Sequence, residues 1–582
     1  MKSFVKRAED YILDIIKSLG YDVDKVILNV SSRPEFGDYQ YNGVMELAKK
    51  YKKNPIEIAN EIVSKLQDNE NLTNINIQGP GFINISFTNE SLIEYMNEIS
   101  GDLDINIDKV KSKKILIDYG GANVAKALHV GHLRSANIGE AIKRLARTLG
   151  HDIIGDAHLG DSGRPLGFVI LEMKKRYPDL VYFKEDYKGE EEDLPITNKD
   201  LEELYPTASK KAKEDETYLE EGREIALKIL DEKSGYHHLW KKIIELSKNH
   251  IKQIYDLLNT NFELWEGESD AYPYINDIVE ILRKEGLVYE SEGALVIDVK
   301  EETDTVDVPP FILIKSNGGI LYQTTEIATI YSRMKRFDLN EIWYLTDERQ
   351  ALHFLQTFRV AEKADILDDT KLYHYGFGTV NGPDGKPFKT RDGGVMPLLT
   401  LIDLVRQETY KKIKDNITDE NEKQYIALLT AIATIKYADL LPYRMTDYTF
   451  DINKFSDVEG KTGPYLLYST VRMKSLIRKA IEQNMNMSKI SIIDNELEKS
   501  IILNIINMSQ VLNNSLNNRS LNEVCEYIYK LTNSFNTFYA NIHILTEQDE
   551  TKRETYLALS KLVLDINLKI LDILAIKVPD RI

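Results

Sequence analysis

"ILIDYGGANVAKALHVGHLRSANIGEAIKRLARTLGHDIIGD", residues 115–156, is the stretch whose reading decides the fold. It opens with "ILIDYG", an apolar run of strand length. A loop of small residues follows, then a helix whose Ile138, Ile142, Leu145 and Leu149 recur on one face until Gly150 ends it. "HDIIGDAHLGDSG" reads as strand and turn, so residues 114–163 form a strand, helix, strand unit of a parallel sheet. Ligands of such sheets bind beyond the carboxyl ends of the strands, which places the loop "GGANVAKALHVGH", residues 120–132, against the ligand.

Two ligands suit that loop. His129 and His132, spaced i and i+3, could hold a metal if His151 and His158 completed the set. Against this, the loop has no cysteine and is dominated by glycine and alanine, which favour close backbone approach. A helix opening at about residue 131 offers backbone N–H groups and about half a positive charge to an anion. Two imidazoles and Lys126 beside it suit a phosphate whose charge shifts during reaction, so the phosphate reading is preferred. Neither the P-loop nor the dinucleotide glycine spacing occurs here. A second segment, "GPDGKPFKTRDGG", residues 382–394, brings Lys386, Lys389 and Arg391 on a glycine-rich loop suited to a pyrophosphate leaving group. Taken alone it reads more readily as an exposed basic turn.

Working outward, residues 1 to about 110 mix helical "PIEIANEIVSKL" with alternating "INIQGPGFINISF", an α+β pattern. The charged joint "KVKSKK" leads into the parallel unit. Residues from about 184 to 260 are acid-rich and helical, an insertion, after which "ALVIDV", "FILIK" and "EIWYLT" are expected to resume the sheet. From about 425 the pattern is almost wholly helical. The 582 residues thus carry several cores rather than one, and the net charge of −19 excludes indiscriminate nucleic-acid binding over the whole surface. A local basic face survives at "VRMKSLIRKA", residues 471–480, either a phosphate-contacting surface or a solvated helix face. The single cysteine, Cys525, sits in an apolar-periodic stretch, which suggests a buried thiol and a reducing compartment. The N-terminus reads as an amphipathic helix with Ile12, Ile15, Ile16 and Leu19 on one side, and no run of apolar residues suggests a membrane span, so a cytoplasmic protein is expected.

At the two loops the sequence resembles class I aminoacyl-tRNA synthetases: His129-Val130-Gly131-His132 matches their HIGH signature and residues 382–394 their KMSKS loop. HxGH alone is shared with smaller nucleotidyltransferases. The longer context, with "EGKTGPYLLYSTVR", "RPEFGDYQYN" and "GPGFINI", resembles the arginyl-tRNA synthetases over essentially the whole chain. That resemblance implies an α/β fold: a Rossmann-like parallel-sheet catalytic domain at 111–450, an N-terminal α+β domain at 1–110 that binds the tRNA D-loop, and an all-α anticodon-binding bundle at 451–582. It further implies ATP-dependent formation of arginyl-adenylate and its transfer to the terminal adenosine of arginine tRNA. ATP would be accompanied by magnesium without a dedicated protein cage, tRNA would bind before arginine is activated, and the protein would be a monomer.

Carried over residue by residue, the resemblance assigns catalysis to His129, His132, Lys126 and Lys389, with Gly131, Lys386 and His353 added on the ATP side. Asp118, Asn123, Tyr322, Glu326 and Gln350 would hold L-arginine, the two acids supplying charge to a guanidinium that wants planar acceptors. Taken singly, either acid could be a structural carboxylate. Phe82 and Asn84 would hold a D-loop base, although Phe82 could equally be a core residue. Tyr465, Tyr468 and Arg472 would reach the anticodon region; on one helical face, they fit an RNA surface or a core stripe. Two departures stand out. "GDSGRPLG", with Ser162, Arg164 and Pro165, replaces the usual GDWGTQFG, and either Lys389 or Thr390 takes the fourth KMSKS place.

Overall fold

The computed structural model describes residues 2–161, 164–386, 388, 396–413 and 417–582. Ser162, Lys389, Thr390 and Arg391 lie outside the described residues.

A four-stranded parallel sheet organises the catalytic region. Its strands are β1 (Lys114–Asp118), β2 (Asp152–Asp156), β3 (Glu341–Tyr344) and β4 (Lys371–His374), in the order β4-β3-β1-β2. Helix α1 (Val130–Thr148) crosses from β1 to β2, with Ile138, Ile142 and Leu145 buried against the sheet and Gly150 at φ +103° turning the chain out of the helix. Helix α2 (Tyr322–Arg336) precedes β3. Gly139 lets α1 approach β1 closely, since a Cβ there would lie 2.2 Å from the Tyr119 ring.

One expectation is corrected. Of the three strands read after the insertion, only "EIWYLT" joins the parallel sheet, as β3. "ALVIDV" and "FILIK" instead form an antiparallel three-stranded sheet with Val288–Ser291. Short apolar runs carry no signal of strand direction or partner, which explains the misassignment. The parallel sheet takes its outer strand from "KLYH", whose alternating half-exposed pattern drew no notice.

The stretch read as an insertion contains three long helices, Asn198–Glu214, Glu216–Ile229 and Gly235–Leu257. The last is tied to the carboxyl side of the sheet by Trp240, whose Nε1 donates to the Asp161 carbonyl at 2.9 Å. At the N-terminus, Leu72–Gln78 and Phe82–Phe87 pair as a hairpin inside a four-stranded antiparallel sheet, with Gly79 and Gly81 at φ +56° and +131° making the turn. Helix Phe4–Ser18 packs its Ile12 and Ile16 into that core.

The C-terminal part is a helical bundle that includes α3 (Glu420–Leu440) and α4 (Gly463–Glu482). Cys525 is fully buried within it, as expected of a structural thiol. Buried polar bonds join the bundle to α1: Arg134 Nε to Asp439 Oδ1 at 3.0 Å and Asn137 Nδ2 to Asp439 Oδ2 at 2.9 Å. The helix that begins with the two loop histidines is thus fixed to both the sheet and the bundle.

Candidate functional site

A cleft of about 680 Å³ opens beyond the carboxyl ends of β1 and β3, a size that suits a small-molecule site. One wall is the loop into α1. His129 is the N-cap, and its Nδ1 accepts from the Gly131 N–H at 3.0 Å, while His132 Nδ1 accepts from the His129 N–H at 3.1 Å. Each ring therefore keeps its remaining proton on Nε2. Burial and the Lys126 charge lower the His129 imidazole; the same causes and His129 itself lower His132 to about 3. Both rings are neutral donors at physiological pH. Gly131 is needed for this fold-back, because a Cβ would come within 2.7 Å of His129 Cε1.

The basic loop's flanks meet this wall. Val130 N donates to Met396 O at 3.1 Å, Leu398 N to Leu128 O at 2.9 Å, and Phe388 lines the cleft. Lys386 is exposed on a turn closed by Gly382 N to Lys386 O at 2.7 Å. Lys126 is exposed, makes no ion pair among the described residues, and borders a small depression with Glu202 and His250 instead of lining the main cleft. It reaches the histidines through charge, not contact.

The other wall is acidic and apolar together. Asp118 ends β1 and borders the cleft, but its Oδ2 accepts from Arg333 Nη2 at 2.6 Å. Arg333 also bonds Asp156 Oδ2 at 2.7 Å. Asp118 thus has a partner within the protein, whereas Glu326 has a buried Oε1 with none among the described residues. Burial raises the Glu326 carboxyl to about 7; His158 opposes that rise and Asp118 adds to it. Tyr322 and Gln350 are exposed at the cleft, and Asn123 lines it beside Gly160, where a Cβ would strike its amide oxygen at 2.3 Å. His353 packs against Tyr322 at 4.5 Å between tilted rings, so it lines the cleft on this wall. Its burial lowers the imidazole to about 4.

The alternative metal set does not assemble. His151 accepts from the Lys113 N–H at the far end of the strands, 3.2 Å away, and does not line the cleft. Among the described residues the one grouping of three candidate ligands is Asp118, Asp156 and His158, and Arg333 already bridges its two acids.

The RNA candidates lie in two separate places, the N-terminal sheet and α4. Phe82 is half-buried, but Asn84 is fully buried, accepting from Gln40 Nε2 at 2.8 Å and donating to Asn76 at 3.2 Å. Asn84 therefore holds the Gln40 amide and does not itself reach solvent. Tyr465, Tyr468 and Arg472 lie on the less buried side of α4, while Leu466, Leu467, Val471 and Met473 fill the core. Asn536 Nδ2 donates to Tyr465 Oη at 2.9 Å, and Arg472 donates to Asn536 Oδ1 at 3.0 Å, which sets the tips of that face. Sequence reading missed Arg333 and Asp156. The signals were present: two strands, "ILID" and "IIGD", end in an acid, and Arg333 follows Glu326 by two helical turns.

Residues 96–452 match the family described as tRNA synthetases class I (R), catalytic domain. Residues 6–87 match the arginyl tRNA synthetase N terminal domain and 466–582 the DALR anticodon binding domain. Over 586 aligned residues covering both chains in full, the sequence is 41% identical to a protein named "Arginine--tRNA ligase" from Alkaliphilus oremlandii (strain OhILAs). The crystal structure of arginyl-tRNA synthetase from Plasmodium falciparum superposes with a TM-score of 0.82 at 25% identity, covering all of both chains. That of Thermus thermophilus, at 19% identity and a TM-score of 0.78 over both full chains, shares the fold.

Proposed function

Because the chain belongs to the arginyl-tRNA synthetase family, we propose that the cleft carries both half-reactions through the residues described above. The protein is a ligase that charges tRNA with arginine, using ATP. The arginine carboxylate attacks the α-phosphate of ATP, the bond to the β-phosphate breaks, and pyrophosphate leaves. The terminal adenosine hydroxyl of tRNA then attacks the arginyl carbonyl and AMP departs.

His129 and His132 donate Nε2–H bonds to phosphate oxygens at the positive end of α1, without charge of their own to bind pyrophosphate too tightly. Lys386 and Lys389, from the basic segment, supply cations for the leaving group, and Lys126 adds longer-range charge. Magnesium would travel on the phosphates, since in the grouping of Asp118, Asp156 and His158 the two acids are already bridged by Arg333. Tyr322, Gln350 and Asn123 frame the amino acid, and its guanidinium pairs with Glu326 and the cleft-facing side of Asp118. The observation that carries this reading is the orphaned Glu326 oxygen: a buried unpaired acceptor is costly, and a cationic fork-shaped ligand satisfies it.

The N-terminal sheet, through Phe82 and the amides arranged by Asn84, takes the D-loop. Tyr465, Tyr468 and Arg472 take the anticodon. A monomer in the cytoplasm is consistent with the buried lone cysteine and with the finding that no described helix is long and apolar enough to cross a membrane. Charging of labelled arginine onto total tRNA, with lysine, glutamine and citrulline as competitors, tests the reading. An arginine ester should form and the competitors should fail to displace it; equal use of lysine defeats the assignment of the pocket.

A further inference from the structure

Arg333 is fully buried, and the reaction described above makes no use of it. It stands on α2 two turns beyond Glu326, on the same face. The register of the sheet places Tyr344, Asp118 and Asp156 side by side at the carboxyl ends of β3, β1 and β2. Arg333 reaches all three strand ends: Nη1 donates to Tyr344 Oη at 3.2 Å, and Nη2 to Asp118 Oδ2 at 2.6 Å and Asp156 Oδ2 at 2.7 Å.

Two adjacent buried carboxylates would otherwise repel each other, and one would take up a proton. Burial alone would raise the Asp156 carboxyl, but the His158 side chain 3.5 Å away and the Arg333 charge hold it well below the usual range. The two acids then differ in one respect. Asp156 is wholly enclosed, whereas Asp118 borders the cleft and its Oδ1 accepts no hydrogen bond among the described residues. The side of Asp118 that Arg333 does not hold is therefore available to a ligand, next to Glu326.

We propose that Arg333 is a positioning residue for amino-acid recognition: it clamps the three strand ends, occupies one oxygen of Asp118 and presents the other to the substrate beside Glu326. The proposal rests on the reading of the cleft as an arginine site. It makes the protein's own guanidinium the device that orients an acceptor for the substrate's guanidinium. A free Asp118 could swing to meet any cation; a clamped one offers a fixed direction, which favours a planar fork over the point charge of lysine.

The test uses the full-length protein with tRNA present and measures KM for arginine, KM for ATP and the thermal midpoint. Variants are Arg333→Lys, Arg333→Met, and Arg333→Met combined with Asp156→Asn, which removes one buried acid together with its cation so that the fold is kept. The double variant should raise the arginine KM by about tenfold or more, the loss of one charge-assisted bond, while the ATP KM stays within about twofold. Arg333→Lys should recover part of the loss and show weaker discrimination against lysine. An unchanged arginine KM in a folded variant, or arginine and ATP KM rising in parallel, overturns the proposal. A wild-type chain that charges no arginine overturns the reading of the cleft itself and the proposal with it.

Discussion

At the phosphate wall, His129, Gly131 and His132 lie within a single helical turn and hold each other through bonds of 3.0 and 3.1 Å. At the amino-acid wall, Asp118, Asp156, His158, Glu326 and Arg333 arrive from two strand ends, a loop and a helix separated by up to 215 positions in the chain. The first is a local device, rigid because the backbone of one helix N-terminus makes it. The second exists only when sheet, loop and α2 come together, and its charges are mutually adjusted. Contiguous motifs therefore report chemistry directly, while dispersed ones report it only through the fold.

Substitutions can break or sharpen that contrast. The largest effect is expected at the local wall: His132→Ala removes a donor aimed at developing phosphate charge and should lower tRNA-dependent pyrophosphate exchange by about 10² to 10³ in kcat. A loss below tenfold would mean that the histidine is structural. Gly131→Ala should follow, because its Cβ would displace the His129 ring from 2.7 Å. A misplacement of about 1 Å costs about 10² in rate, and the thermal midpoint should barely move. At the dispersed wall, Glu326→Gln keeps the shape and removes the charge. It should raise the arginine KM by about 10- to 100-fold and leave the ATP KM nearly untouched.

The pH dependence separates the walls further. The Glu326 carboxyl stands at about 7, raised by burial and by Asp118, with His158 and Arg333 opposing the rise and Glu268 adding to it. Binding a guanidinium favours the ionised form and so releases a proton. Arginine affinity should therefore fall as pH drops below about 7, by up to about tenfold per unit, and flatten above it. KM for arginine measured from about pH 6 to 8 checks the sign, and the slope should vanish in Glu326→Gln. The histidine wall should show no such slope, since His132 at about 3 stays neutral across that range. The smallest effect belongs to Lys126→Ala. With an exposed side chain outside the cleft lining, it should change the ATP KM by no more than about fivefold; a 10²-fold loss would show that the loop closes on ATP and carries the lysine inward.

Much of the first wall was legible in the sequence. The strand, the helix with Ile138, Ile142 and Leu145, and the HxGH spacing all lie in one stretch, and local periodicity predicts local geometry. Motif resemblance also points to Asp118 and Glu326, which the structure places together at the cleft. Their unequal charge balance was not legible, because Arg333 lies in "TTEIATIYSRMKR", where a cationic residue near a helix end reads as a solvated one. The place of Lys126 in the loop and of Asn84 in its motif points each toward a ligand, while the structure leaves Lys126 outside the cleft lining and Asn84 bonded to Gln40. Neither position reveals which way a side chain turns.

The sequence by itself determined the family, the parallel unit and the helical C-terminal part, and it named the residues proposed to meet ATP and arginine, because these follow from spacing and residue type along contiguous stretches. Tertiary structure alone decided which strands share the sheet, that Asp118 is already paired while Glu326 Oε1 has no partner among the described residues, and that Asn84 bonds Gln40. The physical reason is the same in each case. Hydrogen-bond partners and the protonation of buried groups are set by neighbours in space, and a charge within 3 Å outweighs any propensity written along the chain.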